Sequence, residues 1–224
     1  LSSAASDVYK RQSPDGQTIA FSYQGDIYTV PSSGGKARQL TTHPAHDTRP
    51  VWSPDGQRIA FASNRSGNFD VFLMNKEGGE PKRLTTHSTN EYPTTFKDNG
   101  HILYLANVLQ DAKDIQFPGT RFMQVYEIST DGGRPDLYSS LYMENIALSK
   151  DGSKLLYNDY KGYEDPWRKH HQSSITRDIW LCTLGKDRSF QKVTTFGGED
   201  RNPVWAADGA SFSVSYTHLT LPTI

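Results

Sequence analysis

The chain alternates short apolar runs with tight polar turns, and residues 49–75 show the pattern in one unit. The runs "RPVW", "RIAFAS" and "DVFLM" are separated by "SPDGQ" and by the polar loop "NRSGNF". Short apolar runs bounded by Pro, Gly, Asn and Ser predict β-strands, and runs without strict alternation predict strands buried on both faces. A unit this small cannot bury its own sheet, so the pattern predicts packing against similar neighbours.

This unit recurs along the chain. The turn "SPDG" and its following strand begin at Ser13 and Ser53, and looser copies begin at Lys97, Ser149 and Ala206. The first four copies continue with a second strand and a Gly-rich turn; a short strand follows, ending three times in "LTT" or "VTT". Three units then close with Pro and an aromatic strand. Four strands per repeat at a period of about 40 residues predict the blades of a β-propeller.

We therefore predict an all-β fold, a β-propeller of four-stranded blades, with four blades and part of a fifth from a six- or seven-bladed ring. The predicted blades are 13–52, 53–96, 97–148, 149–205 and a partial 206–213. Segments 1–12 and 214–224 do not continue the repeat and resemble translated adapter sequence, so we expect a non-native leader and tail. We also expect the natural protein to continue in both directions.

Two repeated features are interpreted as structural. In the turn, Ser accepts a hydrogen bond at the first position, and Pro fixes the φ angle of the second. Asp is favoured at the third position, and Gly adopts a backbone conformation that other residues avoid. The turn glycine persists even where Pro is lost, at Gly16, Gly56, Gly100, Gly152 and Gly209. An aspartate opens the second strand three times, at Asp26, Asp70 and Asp178, where we predict a backbone-capping role.

Composition supports the fold and excludes several functions. The 224 residues include 12 Tyr, 10 Phe, 18 Gly and 12 Pro, a mixture that favours short strands and turns. The formal charge of −1 gives no reason to expect nucleic acid, and no stretch is long and apolar enough for membrane insertion. His43 with His46, and His170 with His171, lack a third ligand at metal-site spacing, so we expect no metal and no cofactor.

The candidate binding residues lie in loops opposite the tight turns. The loop "EDPWRKHHQSSITRD", residues 164–178, contains a cationic, aromatic group that suits a peptide carboxylate or an acidic partner. Its members are Trp167, Arg168, Lys169, His170, His171 and Arg177. The alternative is a structural loop fixed across the neighbouring blade by Trp167.

Arg49 and Arg201 are further candidates, each two residues or fewer from an aspartate (Asp47, Asp200) before the proline of an inner strand. The favoured interpretation of this repeated acid and Arg is an ion pair at the rim of the propeller channel rather than a catalytic group. No G-x-S-x-G motif is present, and the lone Cys182 lies inside an apolar strand. We therefore predict no catalytic residue in this segment.

The repeat "SPDG…IAF…GDIY…GG…LTTH" resembles the TolB-type propeller repeat across residues 13 to about 213. The stretches "THPAHDTRPVWSPDG", "NRSGNFDVFLM", "DPWRKHHQSSITRDIW" and "TTFGGEDRNPVW" are similar to the amino-terminal propeller of tricorn-like serine peptidases. This resemblance implies a parent serine peptidase with downstream PDZ and peptidase domains. The propeller would dock or filter peptides or unfolded polypeptide, in a periplasmic or secreted location or alternatively in the cytoplasm, with homo-oligomers allowed.

Two other classes stay open. One is a stand-alone TolB-like protein-binding scaffold with no enzyme attached. The other is the propeller cap of a prolyl-oligopeptidase-type hydrolase, in which an α/β-hydrolase domain follows. The sequence beyond this chain distinguishes all three.

Overall fold

The computed structural model describes residues 9–108, 123–159, 161, 176–195, 198, 200–206 and 209–216. All the regular structure in these ranges is β-strand, arranged in four antiparallel four-stranded sheets and one two-stranded sheet. Within the same ranges, no helix with the length and apolar character of a membrane span is found. The predicted all-β propeller fold with four-stranded blades is confirmed.

The strands follow chain order within each blade. Blade 1 contains β1 (Lys10–Gln12), β2 (Thr18–Tyr23), β3 (Asp26–Pro31) and β4 (Arg38–Gln39). Blade 2 contains β5 (Asp47–Trp52), β6 (Arg58–Ser63), β7 (Asp70–Asn75) and β8 (Gly78–Arg83). Blade 3 contains β9 (Tyr92–Asp98), β10 (His101–Ala106), β11 (Gln124–Ser129) and β12 (Asp136–Ser139). Blade 4 contains β13 (Glu144–Leu148), β14 (Lys154–Asn158), β15 (Ile179–Thr183) and β16 (Ser189–Lys192). Blade 5 is represented by β17 (Asp200–Trp205) and β18 (Phe212–Tyr216).

The chain divides into two compact units, Leu1–Leu141 with blades 1 to 3 and Tyr142–Ile224 with the remaining strands. In the first unit, apolar cores fill the spaces between successive blades. The core between blades 1 and 2 contains Ala20, Ile27, Ile59, Phe61, Phe72 and Met74. The core between blades 2 and 3 includes Val51, Ala60, Val71, Phe96, Ile102 and Tyr104. Each middle strand of blade 2 thus faces two cores, which explains its lack of alternation.

The observed blades begin one strand earlier than the predicted blades, because the strand before each tight turn belongs to the same sheet as the strand after it. Strand β5, expected at the end of blade 13–52, pairs instead with β6, Val51 opposite Ala60 and Trp52 opposite Ile59. Similarly, β1 pairs with β2, so blade 1 begins inside segment 1–12, and β18 extends to residue 216, inside segment 214–224. The physical reason is the "SPDG" hairpin, because a tight turn keeps the two strands it joins adjacent in one sheet.

A tryptophan on the innermost strand ties neighbouring blades together. Trp52 donates its indole N–H to the carbonyl oxygen of Arg11 in blade 1, at 3.0 Å. Trp205 of blade 5 makes the equivalent bond to the carbonyl oxygen of Ala147 in blade 4, at 2.9 Å. Both tryptophans directly precede the tight turn. The aromatic residue that closes the repeat therefore links sheets as well as filling space.

The tight turn is held by a small hydrogen-bond network, seen clearly in blade 2. The amide of Gly56 donates to the carbonyl of Ser53 (2.9 Å), and the hydroxyl of Ser53 donates to Oδ1 of Asp55 (2.6 Å). The same hydroxyl accepts the amide of Arg58, and Asp55 accepts the amide of Gln57. The Ser53 hydroxyl is the main reason why the pKa of Asp55 lies below its ordinary value. Turns 13–18 and 149–154 repeat these bonds.

The prediction for the turn glycines holds at four positions and is wrong at Gly100. Gly16, Gly56, Gly152 and Gly209 have φ between 65° and 73°, the left-handed region that favours glycine. Gly100 is not in that region. In blade 3, Asp98 pairs directly with His101 and its carboxylate accepts the amide of Gly100 at 2.7 Å. Since "KDNG" lacks both Ser and Pro, this turn forms a shorter hairpin with different backbone requirements.

Replacing Ser53 by alanine should lower the free energy of unfolding by about 1–3 kcal/mol, because a fully buried hydroxyl that both donates and accepts is lost. Urea unfolding followed by circular dichroism measures this change. The matched control is Ser33→Ala at an exposed turn position, expected within about 0.5 kcal/mol of the parent. Equal unfolding midpoints for the two variants would contradict the structural role of the Ser–Asp network.

Candidate functional site

The opposite end of each blade, which we call the loop face, contains the loops joining the second and third strands and the connections between blades. There, the residue four positions before the tight turn has a left-handed backbone in three blades: Arg49 (φ 53°), Asn145 (φ 49°) and Asn202 (φ 52°). Each lies at a register shift against the next strand. Asn tolerates this conformation well, whereas a long side chain such as Arg rarely adopts it. A repeated β-bulge therefore re-aims one side chain per blade.

The bulge directs Arg49 between two tyrosines of neighbouring blades. Its guanidinium carbon lies 5.0 Å from the ring centre of Tyr9 and 4.1 Å from that of Tyr92. Tyr9 immediately precedes β1, and Tyr92 begins β9, so this cation–π stack joins the inner strands of three blades. Burial raises the pKa of Tyr92, and the positive charge of Arg49 partly opposes that shift.

The expected pair between Asp47 and Arg49 is not formed. Asp47, whose side chain is fully buried, pairs instead with Arg65 of loop 64–69, whose Nη2 lies 3.1 and 3.0 Å from the two carboxylate oxygens. Arg65 also lies over the rings of Phe61 and Phe72, at 5.6 and 4.8 Å. The prediction of an ion pair is thus correct for the aspartate but wrong for its partner, because the bulge turns Arg49 toward the tyrosines.

A buried acid occupies the place of Asp47 in two other blades. Glu91 and Asp200, like Asp47, lie six residues before the tight turn, and all three are 0–1% exposed. The backbone amides of these residues donate across to the preceding blade, Asp47 to Gly25 and Asp200 to Arg177. Burial raises the pKa of Asp200; a hydrogen bond from Thr194 and the charge of Lys192 oppose that shift, while the charge of Asp178 adds to it.

Asp26 and Asp70 are the first residues of the third strands of blades 1 and 2, and Asp178 directly precedes the third strand of blade 4. All three contact side chains rather than backbone amides. Asp26 accepts from the hydroxyl of Thr41 (3.2 Å), Asp70 pairs with Arg83 (2.8 Å), and Asp178 pairs with Lys192 (2.8 Å). The predicted capping role belongs to the first threonine of each "TT" pair. The hydroxyl oxygens of Thr41, Thr85 and Thr194 accept the amides of Ile27, Val71 and Ile179 at 2.9–3.0 Å.

The hydrogen bonds and ion pairs that recur from blade to blade accompany a fold that is found in a known protein family. The model of the tricorn protease N-terminal beta propeller domain matches residues 8–217. The chain belongs to the tricorn N-terminal propeller family. It is 32% identical, over 60 residues, to "Tricorn protease homolog 1" from Streptomyces coelicolor, a match that covers 27% of this chain and 6% of that protein.

Solved structures agree on the fold. A putative TolB from Agrobacterium tumefaciens superposes with a TM-score of 0.65 and 24% identity, covering 93% of this chain and 73% of that one. The tricorn protease superposes with a TM-score of 0.63 and 19% identity, covering 91% of this chain and 20% of the protease. At these identities the likeness shows a shared TolB-like propeller fold. This tricorn-type propeller spans only a small part of its peptidase relatives.

Some of the candidate binding residues lie within the described ranges and some lie outside them. Trp167, Arg168, Lys169, His170 and His171 lie outside the described residues. Arg177, at the end of that loop, donates through Nε to Glu144 at 2.9 Å, and the two side chains are 18% and 25% exposed. Arg177 is therefore engaged within blade 4. Arg201 is exposed on β17, where it lies opposite Ser215.

The histidines of the "TTH" connections serve local structure. Nδ1 of His43 accepts the amide of Ala45 at 3.0 Å, and Nδ1 of His87 accepts that of Thr89 at 3.2 Å. Across the described ranges, no group of three or more His, Cys, Asp or Glu side chains is suited to a metal ion. Cys182 is buried, and burial raises the pKa of its thiol, which disfavours the reactive thiolate.

Arg65 should be the most sensitive arginine of the described loop face. We expect Arg65→Ala to lower the free energy of unfolding by about 3–5 kcal/mol, because it leaves the carboxylate of Asp47 buried without a counter-charge. Arg38→Ala is the control, since its ion pair with Glu77 is 59% and 64% exposed and should contribute less than about 1 kcal/mol. Denaturant unfolding of both variants provides the comparison. Similar losses in the two would show that Arg65 does not neutralise Asp47.

Proposed function

We propose that this propeller docks or filters peptides for a serine peptidase domain of the same protein. The family match over residues 8–217 supports this proposal, because it assigns the chain to the propeller of tricorn-type proteases. The proposed partners are peptides or unfolded polypeptide and the downstream PDZ and peptidase domains. The proposed location is the periplasm or the cell exterior, with the cytoplasm as the alternative, and assembly into homo-oligomers is compatible with the proposal.

The division between the two ends of the blades supports a role in docking. The tight turns use their polar groups internally, as Ser53, Asp55 and Arg58 illustrate. On the loop face, Asp47 and Arg65 neutralise one another in the interior. Loops built on such a rigid base are where proteins place recognition residues, because the scaffold keeps them positioned at little entropic cost.

Within this proposal, loop 164–178 provides the anion-binding group. Its cations Arg168 and Lys169 would bind the terminal carboxylate of a peptide, and Trp167 would contact an apolar side chain. Arg177 has the supporting role of fixing the end of the loop to β13 through Glu144. Arg49 and Arg201 remain proposed secondary contacts on the inner strands.

A TolB-like binding scaffold without an enzyme is the second candidate function. The likeness to the putative TolB from Agrobacterium tumefaciens, which covers 93% of this chain, favours it as far as the fold is concerned. The two proposals differ in what the full-length protein does. A peptidase whose selectivity changes when the propeller is deleted supports the first, and a full-length protein without hydrolytic activity supports the second.

The double variant Arg168→Ala/Lys169→Ala should weaken peptide binding at least about tenfold while leaving the melting temperature unchanged, because each lost charge-assisted hydrogen bond contributes about 1.5–3 kcal/mol. Fluorescence anisotropy of a labelled oligopeptide with a free carboxylate, compared with its C-terminal amide, measures the effect. Lys36→Ala/Lys150→Ala on the turn end of the blades is the matched control. Unchanged affinity, or weaker binding accompanied by a lower melting temperature, would reject the binding role of the loop.

A further inference from the structure

Two carboxyl groups meet in the interior between blades 2 and 3. Asp70, the first residue of β7, is fully buried, and Glu91, just before β9, is 1% exposed. The amide of Glu91 donates to the carbonyl of Phe69, the residue before Asp70, so the two acids are neighbours, and their carboxyl groups interact. Ionised carboxylates only accept hydrogen bonds, so a bond between two of them requires a proton on one. Two buried acids in contact therefore favour a carboxyl–carboxylate pair over two like charges.

The surroundings supply one counter-charge for the two acids. Nη2 of Arg83 lies 2.8 Å from Oδ2 of Asp70. Thr85 and the backbone of His87 lie beside the carboxyl group of Glu91 and favour its charged form, while its Oε2 has no hydrogen-bond partner among the described residues. The hydroxyl of Tyr104 on β10 is buried nearby, and burial together with the charge of Glu91 raises its pKa. A second negative charge would lack compensation here.

The acid pair lies beneath the contact between loop 64–69 and connection 84–91. The amide of Glu91 donates to the carbonyl of Phe69 at 2.7 Å, and the amide of Phe69 donates to Oδ1 of Asn90 at 3.1 Å. Nδ2 of Asn68 donates to the carbonyls of His87 and Thr89, at 2.9 and 2.7 Å. Polar bonds therefore hold the loops of two neighbouring blades together directly over the pair.

We propose that Asp70 and Glu91 share one proton, and that releasing it to solvent loosens the contact between loop 64–69 and connection 84–91. The tricorn-type propeller then has a pH-sensitive region on its loop face. The equivalent acid of blade 2, Asp47, has a counter-charge of its own, since Nη2 of Arg65 bonds to both of its carboxylate oxygens. This inference does not depend on the proposed peptide docking, since it concerns only contacts within blades 2 and 3.

The direction of the pH effect follows from the pKa of Glu91. Burial, together with the nearby Asp70, raises that pKa from 4.5 to about 7. Between these values the folded protein holds a proton that the unfolded chain has released. The stabilising contribution is therefore complete below pH 4.5, decreases as the pH rises, and is lost above about 7.

Glu91→Gln tests the proposal, because an amide keeps a donor in the pair at every pH. Between pH 5 and 8, the melting temperature of the parent should fall relative to that of the variant. The hydrogen-exchange protection of the amides of residues 69 and 91, corrected for the intrinsic exchange rate, should fall at least about tenfold in the parent only. Glu127→Gln in the exposed pair with Lys97 is the control and should follow the parent. Parallel profiles of the parent and Glu91→Gln would overturn the proposal.

A second measurement needs no variant and covers the case in which Glu91→Gln does not fold. Carbon-13 NMR of the side-chain carboxyl group of Glu91 in the parent protein follows its titration directly. A midpoint near 7 supports the shared proton. A midpoint near the ordinary value of 4.5 overturns it, because both acids would then be ionised while the loops stay closed.

Discussion

Neighbouring blades are joined by a backbone hydrogen bond at the start of three inner strands, β5, β9 and β17. The amides of Asp47, Glu91 and Asp200 donate to the carbonyls of Gly25, Phe69 and Arg177 in the preceding blade, at 2.7, 2.7 and 3.0 Å. The bond fixes the start of one sheet against the loop of another. The acidic side chain that follows is thereby placed in the interior, where it must be neutralised or hydrogen-bonded.

Each blade meets this electrostatic requirement differently. Asp47 has the guanidinium of Arg65, Glu91 interacts with Asp70, and Asp200 has Thr194 and the charge of Lys192 beside it. Repeated backbone geometry thus coexists with individual side-chain chemistry. We therefore expect equivalent positions to differ in their response to substitution, although the fold around them is the same.

Many polar and charged side chains of the described residues bind other groups of the propeller itself. Threonine hydroxyls cap strand amides, histidines close their own connections, and the bulge directs Arg49 between Tyr9 and Tyr92. These groups are used inside the tricorn-type propeller. Under the proposed docking role, recognition belongs to loop 164–178, where Arg177 donates to Glu144 at the end of the loop.

Sequence alone determined the repeat, the four-stranded blades and the "SPDG" turn, because these depend on local turn chemistry and on apolar runs that must be buried. It also located the acids of the inner strands, although the equivalence of Glu91 with Asp47 is visible only from their common distance to the turn. The tertiary structure decided which strands share a sheet, that Arg65 rather than Arg49 neutralises Asp47, and that Asp70 meets Glu91. The two side-chain contacts join residues of different loops, and a single bulge redirects the side chain of Arg49, so local patterns carry no information about them.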